Sequence, residues 1–353
     1  MTMRMKRLLL WSFAAYLFSV CLFSACTAED LLLAGEGGEG AFTFTMDTGS
    51  KLSVSTRVVD ESALSDIWVV QLNTAGTAAL SAPAHVKPDD ANKIKVKLAK
   101  EESKVYFFAN TGDANLFDPD AALSTFTTTT VEAASMTYNG DWGEKSYIPM
   151  FGTWEGTPTV PIMSDKVELT RAFAILKITV SRVQPAAASF GFKSLQLKNV
   201  PNVLQLCPST EATYPAATGT YINYPINTDT SPMYSYPTYT FYVPENHRGT
   251  GSGRFETEKT GSMVANGDYA TYYEIKGSYA GDPITYRFYL GANNTDDYNI
   301  DRNYMYTMNI VLTGANLLDA RIELSRTSLN VGSGTGVDWG TGGSSDMNAD
   351  GRY

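Results

Sequence analysis

Residues able to do chemistry are scarce in this chain. It has 353 residues and only two histidines, His85 and His247. Neither has companions at zinc-ligand spacing or in a nucleophile–base pattern. His247 sits in "PENHRG" beside Glu245 and Arg248, which reads as a turn at a strand end. "GTGSGR", residues 249–254, is glycine-rich but lacks the Lys-Ser/Thr of a phosphate loop. Two acidic clusters carry the oxygen ligands that hard cations take. "DMNADG", 346–351, places Asp346, Asn348 and Asp350 at alternate positions, with Gly351 for the turn, but the bidentate Glu of a calcium loop does not follow. "NTDDYNID", 294–301, gathers Asp296, Asp297 and Asp301. Both clusters read as polar turns without metal. Carboxylate pairs for glycoside hydrolysis are defined by their separation across a cleft, which spacing along the chain does not set. With no catalytic constellation and no implied cofactor, the chemistry points to binding or assembly rather than to an enzyme.

The bulk composition narrows the partners. Net charge is −10, whereas a nucleic-acid binder needs a cationic footprint to displace phosphate counterions. The longest basic alternation, "KIKVKLAK" at 93–100, reads as a strand with one lysine face. Nucleic acid is therefore excluded as a partner. Charged residues make up 18% of the chain, aromatics 12%, and there are 21 tyrosines. Low charge with abundant Thr, Tyr, Val and Phe favours sheets, and the length suits two domains.

The N-terminus carries export chemistry. Arg4, Lys6 and Arg7 precede an apolar run from Leu8 to Phe23, then Ser24-Ala25-Cys26. The run is shorter than the ~20 residues that span a bilayer, and the whole reads as a secretory signal. Ser24, Ala25 and Cys26 resemble the lipobox of bacterial lipoproteins, in which the cysteine becomes the acylated N-terminus; Phe23 stands where Leu is usual. The "CTAED" that follows is similar to a short surface-export tag. Of the three cysteines, Cys21 leaves with the signal and Cys26 takes lipid. Cys207 then has no intrachain partner.

The elements follow from patterning. Residues 27–40 are Gly- and Glu-rich and read as a tether. In "AFTFTMDTGSKLSVSTR", 41–57, Phe42, Phe44 and Met46 share one face and Thr43 and Thr45 the other. Leu52 and Val54 continue after a turn at Asp47-Thr48-Gly49. After an acidic, Ser-rich break comes a buried-type strand, Ile67–Leu72. "NKIKVKLAKEESKVYFFANTG" gives two strands, and a short helix is expected near Pro119–Ser124. The Pro-rich "YIPMFGTWEGTPTVPIM" ends the first domain near residue 165. Beyond it, "KVELTRAFAILKITVSRV" and six further short alternating segments are bounded by Gly, Asn or Pro. Strands at this spacing without intervening helical periods indicate sandwiches.

Several of these segments together resemble the fimbrillin family, the pilus subunits of Bacteroidales-type bacteria. They are "FSAC", "TRVVDESALSDIWVVQLN", "KVYFFAN", "VELTRAFAILKITV", "FYVPENHRG" and "YLGANNTDDYNIDRNYMYTMNIVLTG", with Arg302-Asn303 and Tyr306 following the Asn/Asp-rich loop. The resemblance runs from the lipobox to near residue 325. It implies an all-β fold of two transthyretin-like β-sandwich domains in tandem. The expected division is a signal at 1–25, a propeptide at 26–57, an N-terminal sandwich at 58–165 and a C-terminal sandwich with donor strand and tail at 166–353.

The resemblance also implies export to the outer membrane as a lipoprotein acylated, with palmitate among the chains, on Cys26. Cleavage by an Arg-specific protease follows, here between Arg57 and Val58, with Lys51 as a competing site and Ser62 and Ser65 keeping the linker polar. Cleavage removes an edge strand formed by Phe42, Phe44, Met46, Leu52 and Val54. The vacated edge accepts a strand from a neighbouring subunit. The donor expected here is Ile322–Val331, extended to Trp339, with Ile322, Leu324, Leu329, Val331, Val337 and Trp339 facing inward. Partners are then other fimbrial subunits, membrane lipid before processing, and a host or bacterial surface ligand. The competing reading is a monomeric outer-membrane surface lipoprotein that binds glycans on Tyr- and Trp-rich loops.

Overall fold

Alternating segments and continuous apolar runs fold here into two kinds of strand, those with one buried face and those buried on both. The computed structural model describes residues 39–49, 63–140, 147–159, 165–182, 190–211, 214–215, 221–228, 238–312 and 320–328. Cys26, Leu52, Val54, Arg57, Val58, Leu329, Val331, Val337, Trp339 and the Asp346–Gly351 turn lie outside these residues.

The first half contains β1 (Glu39–Asp47), β2 (Ile67–Asn73), β3 (Ala84–Val86), β4 (Lys93–Ala99) and β5 (Ser103–Ala109). Then come a short helix α1 (Thr128–Glu132), β6 (Ser135–Thr137), β7 (Met150–Gly156), β8 (Lys166–Glu168) and β9 (Thr170–Arg171). Two sheets form, ordered β4-β1-β8 and β3-β2-β5-β7-β9. Their facing side chains, among them Phe42, Phe44, Ile94, Val96, Val69 and Phe107, make one core. The far face of the larger sheet is also covered. Trp68, Tyr106 and Phe108 pack there against Phe117, Phe126 and Val131, joined by Leu206 and Cys207 from the second half. This explains why β2 is apolar on both sides apart from Gln71, whose buried amide bonds the Ala99 backbone and Ser103.

The expected helix near Pro119–Ser124 is displaced along the chain. A 3-10 turn covers Leu123–Thr125 and α1 starts at Thr128. The reason is local capping: the Thr127 hydroxyl accepts from the Thr130 amide while Thr130 reaches back to the Thr127 amide.

The second half contains β10 (Phe173–Arg182), β11 (Phe190–Lys198), β12 (Val200–Pro201), β13 (Val203–Gln205), β14 (Tyr221–Ile222), β15 (Thr238–Pro244), β16 (Tyr272–Tyr279), β17 (Asp282–Tyr289), β18 (Tyr304–Leu312) and β19 (Ala320–Ser328). Sheets ordered β15-β10-β18-β19 and β11-β16-β17 enclose the second core. The sandwich expectation thus matches the architecture. The boundary differs: β8 pairs with β1 and β9 with β7, so the first sandwich runs to Arg171 rather than 165. The segment after the Pro-rich stretch serves the first sandwich before β10 opens the second.

The halves are joined where β13 pairs with β6. Arg302, in the loop before β18, donates from Nε and Nη2 to both carboxylate oxygens of Glu245 at 2.8 and 2.7 Å. Its Nη1 and Nη2 also donate to the carbonyls of Leu206 and Gln205 at 2.7 and 2.8 Å. Asn303, with φ 59°, donates its amide to the Phe173 carbonyl at 2.7 Å. Both ends of the ion pair are buried, at 7% and 3% exposure. A buried pair broken on one side leaves an uncompensated charge. Arg302→Met should therefore lower urea-unfolding stability by about 3–5 kcal/mol, and Glu245→Gln added to it should recover part of the loss. A loss within ~0.5 kcal/mol, the range of an ordinary surface substitution, would contradict this account.

Candidate functional site

The site begins with β1, whose alternation is local chemistry. Its threonines favour extended backbone and face outward, and its apolar residues face inward. Phe42, Phe44 and Met46 are 1%, 0% and 3% exposed. Phe44 makes edge contacts with Phe107 at 5.2 Å and Trp154 at 5.7 Å between ring centroids. The strand ends at Asp47, whose carboxylate accepts from the Gly49 amide at 3.1 Å; Gly49 has φ 71°, which suits glycine.

β1 pairs antiparallel with β4 from Glu39 to Thr45 and parallel with β8 from Thr45 to Asp47. It is an edge strand over its first half and an interior strand over its last residues. The expectation of a plain edge strand therefore fits only Glu39–Phe44. The sheet order makes β1 the only link between β4 and β8. Without it, Ile94, Val96, Phe107 and Val167 would lose their cover and both flanking strands their ladder partner.

The chain that leads away from this strand is clamped again at Ala63. Asn110, in the left-handed region at φ 60°, donates from Nδ2 to the carbonyls of Ala63 and Ile148, both at 2.8 Å. Its Oδ1 accepts from the Ser65 amide at 2.7 Å, and its own amide donates to the Asp66 carbonyl at 2.8 Å. Ser65 is thus fixed and half-buried rather than part of an open linker. The cue was present in sequence: the Asn that ends "KVYFFAN" follows a buried strand, and Asn tolerates the left-handed region.

At the other end, Ile322 and Leu324 lie on β19, which is paired with β18 along its whole length. The expected donor segment therefore starts inside the second sandwich's own sheet. β19 is the outermost strand there, held by one neighbour.

The remaining candidates have structural partners. Ser65 donates to one oxygen of Asp66 at 2.5 Å and His85 meets the other at 3.1 Å, so the carboxylate stands between hydroxyl and imidazole and the two do not pair as nucleophile and histidine base. Asn293 Oδ1 accepts from the amides of Thr295, Asp296 and Asp297, and Asp297 accepts from the amides of Ala292 and Asn299. Lys259 lies beside this loop, donating to the Asn293 carbonyl at 2.5 Å; burial pushes its ammonium down to about 7 against the pull of Asp297 and Asp296. The acidic loop is thus occupied by its own amides and an ammonium. Among the described residues no three His, Cys, Asp or Glu side chains converge on a point where a metal ion could sit. Trp68, Tyr138, Tyr273, Tyr298 and Tyr306 are buried, so these five rings belong to the cores rather than to a surface platform.

A sequence profile described as "Domain of unknown function (DUF4906)" matches residues 241–310, from β15 into β18. No curated protein sequence matches the chain. Among solved structures, the tip fimbrial protein Mfa3 from Porphyromonas gingivalis is similar with TM-score 0.56 and 12% identity, covering 82% of this chain and 99% of its own. A candidate cell adhesion protein from Bacteroides eggerthii has TM-score 0.56 and 14% identity, covering 83% and 97%. The fimbrilin FimA of P. gingivalis W83 has TM-score 0.51 and 13% identity, covering 82% and 98%. The chain shares the fold of these Bacteroidales fimbrial and adhesion proteins across nearly their whole length, in agreement with the fimbrillin resemblance of the sequence.

Two outcomes are expected. Phe44→Ala should destabilise the protein by about 3–5 kcal/mol in urea unfolding; a change below ~1 kcal/mol would mean that β1 is not an integral part of the core. The second concerns pH. Burial opposes the charging of His247, but Asp301 at 3.2 Å, Glu245 and the Glu211 carbonyl outweigh it and raise its pKa above 6.5. Its stabilisation is then fully present below the unfolded pKa and is lost as pH rises through the folded one. The melting-temperature advantage over His247→Gln should shrink as pH rises above about 6.5; an advantage that grows with pH would reverse this assignment.

Proposed function

We propose that this chain is a structural, non-enzymatic subunit of a cell-surface fimbria. In this reading it reaches the outer membrane as a lipoprotein acylated on Cys26, is cut between Arg57 and Val58 by an Arg-specific protease, and joins its neighbours by strand exchange, contributing to adhesion. The observation that carries the reading is the position of β1. It is the N-terminal strand of the described chain, it precedes Arg57, and its inward side chains complete a core that no other strand covers. The shared fold with fimbrial proteins supports it. The Asn110 clamp supports it as well, because the chain is fixed again at Ala63 and β2 can keep its place after a cut upstream.

The energetics favour a durable joint. Three buried side chains at ~1.5–3 kcal/mol each and several ladder bonds at ~0.5–1.5 kcal/mol each amount to a gross gain on the order of 10 kcal/mol, less the ordering of the donor. The donor is the C-terminal segment. It either peels β19, with Ile322 and Leu324, from the edge of its sheet or uses Leu329, Val331, Val337 and Trp339 beyond it. Mild trypsin treatment of delipidated protein should give Val58 as the new N-terminus and SDS-resistant ladders on unheated gels, while Arg57→Gln should keep its leader and remain monomeric. Filaments from Arg57→Gln equal to those of the parent would defeat the proposal.

A further inference from the structure

The groove that holds β1 has a charged rim, and the strand now in it does not use that charge. On β4, Lys93, Lys95 and Lys97 alternate with buried Ile94, Val96 and Leu98 and are exposed. The ladder sets Thr45 opposite Lys93, Thr43 opposite Lys95 and Ala41 opposite Lys97. On the other side, Lys166 of β8 lies opposite Thr45 and forms an ion pair with Asp47. Four ammonium groups therefore line the outward positions of this one strand. The resident strand has carboxylates only at its two ends, Glu39 opposite Ala99 and Asp47 beside Lys166, and opposite Lys97, Lys95 and Lys93 it sets neutral Ala41, Thr43 and Thr45. Among the described residues Lys93, Lys95 and Lys97 make no ion pair with an acid. In a protein of net charge −10, such a row of unmatched cations is a local reversal of sign.

We propose that this rim selects the strand that replaces β1. It fits a strand of another subunit with apolar residues at the positions of Phe42, Phe44 and Met46 and with Asp or Glu at those of Ala41, Thr43 and Thr45. Cross-strand opposite charges attract and like charges repel, so each lysine scores the residue beside it. The proposal rests on the strand-exchange reading and adds the chemistry of the partner. It ranks the C-terminal segment of a second copy of this chain as a usable but weaker occupant than a more acidic strand. The residues flanking Ile322 and Leu324 are Arg321, Glu323 and Ser325, one base against one acid, and Asn330 lies between Leu329 and Val331. A neighbour of different sequence with an apolar–acidic alternation suits the groove better.

The test has two arms on the full chain. In the intact protein, Thr43 and Thr45 are both replaced by Glu, by Gln or by Lys. Against the Gln pair, the Glu pair should melt higher and the Lys pair lower, by about 2 °C each way, and the gap should close in 1 M salt. In protein nicked by trypsin after Arg57, labelled peptides of the Glu39–Asp47 sequence with Glu, Gln or Lys at the three outward positions compete to displace the leader. The Glu peptide should exchange in at about tenfold lower concentration than the Gln peptide, and Lys95→Glu/Lys97→Glu in the protein should invert the order. Equal melting and equal exchange of all variants would overturn the charge selection while leaving strand exchange intact. If none of the peptides exchanges, the strand-exchange reading fails and the selection rule fails with it.

Discussion

The smaller sheet of the first sandwich exists only because β1 runs through its middle. β4 and β8 have no ladder with each other, and each meets the sheet through β1. Backbone groups on both flanking strands, and the core beneath them, therefore depend on one N-terminal segment for cover. An unpaired buried backbone group is costly, so a form of this protein lacking β1 has a strong drive to acquire a substitute. The second sandwich is built differently. Its long central strand, β10, has neighbours on both sides along most of its length. The asymmetry is one of dependence: the smaller sheet of the first half rests on one N-terminal strand, whereas the central strand of the second is held from both sides.

The buried network around Arg302 lies within the second half, next to its contact with the first. Glu245 comes from the end of β15 and Arg302 from the loop before β18, and the carbonyls they help to satisfy belong to the chain between β13 and the Ser209 turn. Leu206 and Cys207, next to those carbonyls, enter the outer core of the first sandwich. The ion pair itself lies within the second half; what crosses to the first is the β13–β6 ladder and the Leu206 and Cys207 side chains.

Much of this was legible in the residues. The alternation of "AFTFTM" correctly placed Phe42, Phe44 and Met46 on one face, because a period of two is a property of the extended chain alone. The largely apolar run at Ile67–Leu72, broken by Gln71, correctly indicated a buried strand. Ladder partners were not legible. Nothing local in "KVELT" says that its first residues return to pair with β1, and so the domain boundary came out six residues early. Neither did any spacing show that Glu245 of "PENHRG" and Arg302 of "DRNY" would meet, since their contact is made by the fold. α1 was misplaced because a threonine capping box, rather than the proline upstream, sets its start. The acidic loop read as a bland turn, and its geometry agrees: its amides fold back onto its own side chains.

Cys207 carries one more consequence. It is enclosed between the two halves, and burial pushes its thiol up to about 12. At neutral pH its thiol is therefore un-ionised, and it is buried, the combination that makes a cysteine unreactive. Copies of the protein brought together in air-exposed surroundings will not crosslink through this thiol unless the two halves first part, so a mixed disulfide or an alkylated Cys207 would report that opening.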